Sequence, residues 1–346
     1  MATNGTPREL QLIPMTPLDV NAPRGTSTSE LLSQMSRTAF TGRTLGEAAD
    51  VLEAMIRDEA CWTVMTLSGA MTMAGLGGLI REMAERRWVE CLIATGALVG
   101  HGLVENLGMP HYKADPAVSD EEYFRRRLNR VYDTLEPEQN LNELEKLVRV
   151  ALDELADEVA GRPVGTAEIL AALGQKLPGE GTLQSFAAAG LPVIIPAFTD
   201  SELGLDFAVH RVHRTRQGKP PLVYDAFLDL ERFRELCEGA MREGKRLAIF
   251  TVGGGVPRNW AQQVGPYVDV RNTRLGMDVP PVRFNYGIRL CPDPVHYGHL
   301  SGCTYSEGVS WGKFAPRAEG GRYAEVLCDA TVAWPLLVRA MIERGL

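Results

Sequence analysis

Six cysteines in 346 residues form no C-x-x-C pair and keep no regular spacing, so neither a disulfide framework nor a thiolate zinc site is expected. Three of them lie in or beside apolar runs (Cys61-Trp62, Cys91-Leu92-Ile93 and Leu327-Cys328), as buried free thiols do. The chain has no G-x-G-x-x-G, the usual dinucleotide fingerprint, and no H-E-x-x-H, so no metal site is read from motifs. Ser68 sits in Leu-Ser-Gly-Ala, not in a G-x-S-x-G elbow, which argues against a serine hydrolase. Basic residues are outnumbered, 36 to 44, and the net charge of -8 lacks the positive surface that nucleic acid requires. The first residues show no basic segment followed by an apolar one, and a reducing, cytoplasmic setting is expected. Residues 61–80 are uncharged for 20 positions, but four glycines and four hydroxyl side chains dilute them below membrane-span hydrophobicity. A buried strand, a glycine turn and the start of a helix fit that stretch better.

What is present is a rhythm. Residues 1 to about 28 are rich in Pro, Thr, Asn and Ser and read as a draped tail; residues 29–57 carry apolar positions at helical spacing. Short apolar runs follow at 62–67, 89–95, 191–198, 247–252, 284–290 and 325–328. Segments with helix-like patterning lie between them at 75–87, 120–135, 141–160, 203–215 and 225–243, and 272–282 reads as a loop. Strands alternating with helices predict an α/β fold: a Rossmann-like, mostly parallel sheet with helices on both faces. Residues 1–40 are expected to form a tail and helical extension, and 41–346 a single domain.

In such a sheet, ligands bind beyond the carboxyl ends of the strands. Four segments end a predicted strand in residues suited to a ligand. The run 247–252 enters Gly253-Gly254-Gly255, where the backbone can approach closely, and a helix starting near Pro257 would turn free N–H groups toward a phosphate. Cys91-Leu-Ile-Ala-Thr95 leads into Gly96. Val193-Ile-Ile-Pro-Ala-Phe-Thr-Asp200 places a carboxylate past a strand, for ribose hydroxyls or for capping the helix from Ser201. Val326-Leu-Cys-Asp329-Ala330 repeats that arrangement. The histidines offer less, and His210 and His213 are expected on a solvated helix face.

The remaining feature is Lys313 in Ser306-Glu307-Gly-Val-Ser-Trp311-Gly-Lys313-Phe-Ala-Pro316, one lysine among small and apolar residues. Such surroundings disfavour the ammonium form, and a neutral lysine amine forms Schiff bases with carbonyl or imine carbons. The alternative is a half-exposed strand whose lysine snorkels to water.

The run Glu307-Gly-Val-Ser-Trp-Gly-Lys313 resembles the E-A-x-S-W-G-K signature of the deoxyhypusine synthase family. Gly253-Gly254-Gly255-Val256, Pro196-Ala-Phe-Thr-Asp200 and Cys328-Asp-Ala330 followed by Pro335 match that family in order and spacing, over roughly residues 45–345. The resemblance implies a tetramer with NAD as cofactor and polyamines as substrates. On that resemblance NAD takes a hydride from spermidine or putrescine, the resulting imine is cleaved with release of an amine (1,3-diaminopropane from spermidine), and the aminobutyl group is held as an imine on Lys313, passed to an acceptor amine and reduced. It further implies that Trp311 packs on the polyamine methylenes and Glu307 pairs with an ammonium. Thr95, Gly96, Asp200, Gly253, Gly254, Gly255, Asp329 and Ala330 fall at its cofactor positions.

The chain departs from the eukaryotic pattern around the polyamine. Leu205 stands at a carboxylate position, with Asp206 one step late. Asn259 replaces a histidine, and Tyr297 and Leu300 replace aspartates. The D-P-x-x-x-G-x-L-S-G pattern of residues 293–302 resembles the bacterial deoxyhypusine synthase-like, homospermidine-forming branch. That implies a free diamine such as putrescine as acceptor. The alternatives are modification of a protein lysine, or a homologue that binds NAD and polyamine without turnover.

Overall fold

The computed structural model of the protein describes residues 14–19 and 25–346; most of the expected tail lies outside them. Six parallel strands form the central sheet: β1 (Cys61–Leu67), β2 (Cys91–Ala94), β3 (Val193–Ile194), β4 (Arg246–Val252), β5 (Phe284–Leu290) and β6 (Arg322–Val326). Their spatial order is β3-β2-β1-β4-β5-β6, the doubly wound arrangement of dinucleotide-binding folds. Alternation along each strand builds two cores. Met65, Leu67, Ala248, Phe250 and Val252 face one layer, with helices Phe40–Arg57, Gly77–Glu85, Gly96–Asn106 and Ala330–Glu343. Trp62, Val64, Leu247 and Ile249 face the other, with Ala226–Arg242, Val256–Gln262 and Val264–Leu275. Both faces of the strands are apolar because both are covered. Helices Thr28–Met35 and Phe40–Arg57 pack on each other and on Ala330–Glu343, which buries Leu32 completely. Among the described residues no helix is long and apolar enough to cross a membrane.

Residues 61–80 form a strand, turns and a helix start, in that order. The helix expected over 120–135 is corrected: it stops at Arg125, and Leu128–Val131 pairs antiparallel with Thr134–Pro137. Glu122–Arg126, an i,i+4 ion pair at 2.6 Å, mimics a longer helix, but Arg127 and Tyr132 take left-handed backbone that ends the helix and turns the hairpin. The loop expected over 272–282 begins later, because helix Val264–Leu275 runs into it. Asn272 then pins the loop through both backbone-like bonds to Val279, at 2.8 and 3.0 Å. The last strand ends at Val326, not at Cys328. His210 is buried, not solvated, and its Nε2 lies 3.1 Å from Asp153. All six cysteines are free, with Cys303 and Cys328 half-buried.

Candidate active site

Five strands stop at one level: Leu67 lies opposite Ala94 and Val252, and Leu290 opposite Val252 and Val326. The strand order reverses between β1 and β4, so a crevice opens beyond their carboxyl ends. A cavity of about 450 Å³ fills it, and Thr95, Gly96, Asp200, Gly253, Gly254 and Gly255 all line it. Six expected positions from three separate segments therefore meet. Asp329 and Ala330 do not line this cavity; Asp329 caps helix Ala330–Glu343 by accepting from Thr331 N at 2.7 Å.

Contact dictates the glycines here. A Cβ at Gly254 would lie 2.2 Å from Ser301 Cβ, and one at Gly96 would lie 2.3 Å from Ser201 Cβ. Gly253 has a φ of 75°, which L side chains rarely adopt. Ser68 Oγ accepts from Gly254 N at 2.8 Å and fixes the glycine turn to the end of β1. Thr95 does not cap helix Gly96–Asn106; its hydroxyl donates to Gly69 O at 3.2 Å. The first-turn N–H groups of that helix therefore stay available at the crevice. Ser201, not Asp200, caps helix Glu202–Arg216, which leaves the Asp200 carboxylate to the cavity. Asp293 and Ser301, at the two ends of the D-P-x-x-x-G-x-L-S-G segment, hydrogen-bond to each other and also line the cavity.

Lys313 follows the short helix Tyr305–Ser310. Gly312 takes a φ of 69° and reverses the chain. Lys313 N then donates to Gly308 O at 3.0 Å, and its own carbonyl accepts from Phe284 N at 3.0 Å, which ties the lysine backbone to β5. Gly308 lies under the Phe314 ring, where a Cβ would meet it at 2.5 Å. The half-buried Nζ donates to Asn259 Oδ1 at 3.1 Å and lies 5.8 Å from the centre of the Trp311 ring. Burial lowers the Lys313 pKa from its ordinary value and Arg258 adds to this, against opposing pulls from Cys303 and Glu307. Glu307 is exposed on the same helix, and its carboxylate accepts from Cys303 Sγ at 3.5 Å. Asn259 sits on helix Val256–Gln262, whose cap is Gly255, so one element reaches from the crevice to the lysine.

Trp311 is 64% exposed, and Leu205, Tyr297 and Leu300 are exposed too. Burial, then Glu202 and Glu145, push Asp206 up to about 6. Two buried arginines had no sequence signal. Arg258 donates to Cys303 O at 2.7 Å and Arg289 to Ser301 O at 2.7 Å, which clamps the loop that closes the crevice. A cluster of His101, His111 and Glu136 also had none, since its members are spread over 35 residues.

A family model, Deoxyhypusine synthase, matches residues 30–341. The chain belongs to the deoxyhypusine synthase family. "Probable deoxyhypusine synthase 2" of Methanosarcina acetivorans is 32% identical over 336 residues, covering 96% of this chain and 90% of its own length. The protein of that name from Archaeoglobus fulgidus is 32% identical over 308 residues, covering 89% and 96%. The "Deoxyhypusine synthase-like protein" of Coxiella burnetii is 29% identical over 322 residues, covering 91% and 86%. An Entamoeba histolytica protein assigned as a deoxyhypusine synthase superposes with a TM-score of 0.59 at 13% identity, over 95% of this chain and 96% of its own, a likeness of fold.

Proposed function

We propose that this member of the deoxyhypusine synthase family is an NAD-dependent aminobutyl transferase. Lys313 would carry the aminobutyl group as an imine and pass it to a free diamine, forming homospermidine. The observation that carries this reading is the setting of Lys313: half-buried, lowered in pKa, and held by a helix that starts in the strand-end crevice. A lysine that gives up its proton readily is a competent amine nucleophile. The crevice suits a dinucleotide, because Gly255 leaves open space at the cavity wall where a ligand can approach the backbone, and helix Gly96–Asn106 offers uncapped N–H groups to a phosphate. NAD bound there supplies the hydride acceptor for the donor's carbon and the hydride that reduces the product imine.

The chain's own residues do the rest. Asp200 accepts from ribose hydroxyls, and Thr95 and Gly253 to Gly255 form the walls. Asn259 Oδ1 holds a proton of Nζ and aims the amine. Trp311 lies along the methylenes of the polyamine, and Glu307 neutralises one of its ammonium groups. The exposed Trp311, Tyr297 and Leu300 support a site completed by a second copy of the chain, in a tetramer. The segment from Asp293 to Ser301 supports a diamine acceptor, because it carries Tyr297 and Leu300 where a protein-modifying site has carboxylates. The names of the archaeal relatives favour a second reading, transfer to a protein lysine.

The test incubates the protein with NAD, spermidine and putrescine. Homospermidine is expected from the wild type and from neither Lys313→Ala nor Lys313→Arg, with borohydride trapping of the aminobutyl group on Lys313. Release of 1,3-diaminopropane without a new polyamine would favour the protein acceptor. Normal turnover by Lys313→Ala would overturn the covalent route.

A further inference from the structure

A second cluster of polar side chains stands apart from the strand-end crevice. His101 lies mid-way along helix Gly96–Asn106, His111 in the loop just before Tyr112, and Glu136 on strand Thr134–Pro137. Their donor atoms, His101 Nδ1, His111 Nε2 and a Glu136 oxygen, all lie within 4.8 Å of one another. The Glu136 side chain is fully buried, while those of His111 and His101 are 11% and 20% exposed. Both imidazoles converge on one carboxylate oxygen, Glu136 Oε2, at 2.6 Å from His111 and 3.4 Å from His101. The other oxygen, Oε1, accepts from Asn140 Nδ2 at 2.8 Å, and Asn140 also donates to Pro110 O at 3.3 Å.

We propose that His101, His111 and Glu136 bind one divalent transition-metal ion of the zinc class, leaving a further coordination position open. Three features separate this from a hydrogen-bonded triad. His111 is held closely at 2.6 Å, but the 3.4 Å contact of His101 with the same oxygen is longer than a good N–H···O bond. An ion about 2 Å from each donor needs tetrahedral ligand separations of roughly 3.3 Å, a spacing that small side-chain shifts here would reach. Asn140 orients the carboxylate from behind, as outer-shell partners of metal ligands do. A cavity of about 490 Å³ borders His111 and is also lined by Glu105, one helical turn after His101, so water or a ligand has room at the open position. Two imidazoles and one carboxylate suit zinc, iron, cobalt or nickel; calcium and magnesium prefer all-oxygen shells. None of the three ligands lines the strand-end crevice, so the inference stands or falls independently of aminobutyl transfer.

The test titrates the chelator-treated full chain with cobalt(II), followed by its visible absorption and then by displacement with zinc(II). One equivalent per chain is expected. His111→Ala and Glu136→Gln should abolish the cobalt spectrum, and Asn140→Ala should weaken binding by roughly 10- to 100-fold. His213→Ala, at an exposed histidine elsewhere, should leave it unchanged. Because His111 lies in a loop, its variant carries the test even if Glu136→Gln fails to fold. Zinc should also raise the melting temperature of the wild type and not that of His111→Ala. Absence of stoichiometric binding by the wild type, or an unaltered spectrum in His111→Ala, would overturn the site.

Discussion

At the scale of single residues, the protonation of Lys313 is a balance that neighbouring side chains can tip. Burial disfavours the ammonium, while the Asn259 carbonyl, 3.1 Å away, favours it. Asn259→Asp should raise the lysine pKa by about 1 to 3 units, as a carboxylate at that distance does. Asn259→Leu should lower it further. The pH dependence of borohydride trapping at Lys313 measures both, and identical profiles in the two variants would remove Asn259 from the account. Trp311→Ala should weaken polyamine binding by about 0.5 to 2 kcal/mol, read as a higher KM, and it also removes the ring that faces the Lys313 amine at 5.8 Å.

At the scale of elements, the glycine turn after β4 and the helix after β2 illustrate two kinds of glycine. Gly254 faces Ser301, and that loop is clamped by Asp293 and Arg289, so it cannot yield. Gly254→Ala should cost about 1 to 3 kcal/mol and close the crevice, lowering both the melting temperature and dinucleotide affinity. A Cβ at Gly100, on helix Gly96–Asn106, would meet nothing within 4 Å. Gly100→Ala should leave affinity unchanged and add about 0.5 to 1 kcal/mol of stability. The opposite signs are visible only once the neighbours are known, because the sequence shows two glycines and nothing of what faces them. Strand positions were legible for β1, β4 and β5, whose short apolar runs, covered on both faces, mark most of each strand. The hairpin at 128–137 was not, because Glu122 and Arg126 at helical spacing mask the two turn residues that follow.

For the whole molecule, stability should carry the imprint of Glu90. Burial pushes its carboxyl from the ordinary 4.5 up to about 7, although Thr63 N donates to it at 2.7 Å. The folded chain therefore binds more protons than the unfolded one between these values. Stability falls as pH rises from about 4.5 through 7 on this account. Urea denaturation at pH 5 and pH 8 should show a larger loss for the wild type than for Glu90→Gln; equal losses would contradict it. Assembly is the other property of this scale. Trp311→Glu, which places charge on an exposed apolar rim, should reduce the sedimenting mass if a second copy covers that rim.

The sequence by itself marked most strands of the central sheet and the unusual setting of Lys313. Short apolar runs, strand-end glycines and a lone lysine among small residues are local patterns, and each acts on a few neighbouring positions. Only the tertiary structure decided which strands are neighbours, and with that order came the crevice that joins Thr95, Asp200 and Gly253. It also decided that Asp329 serves as a helix cap, that Arg258 and Arg289 are buried as a loop clamp, and that His101, His111 and Glu136 converge. Those pairings join residues far apart in the chain, and hydrophobic periodicity carries no information about side chains that meet only after the helices have packed on the sheet.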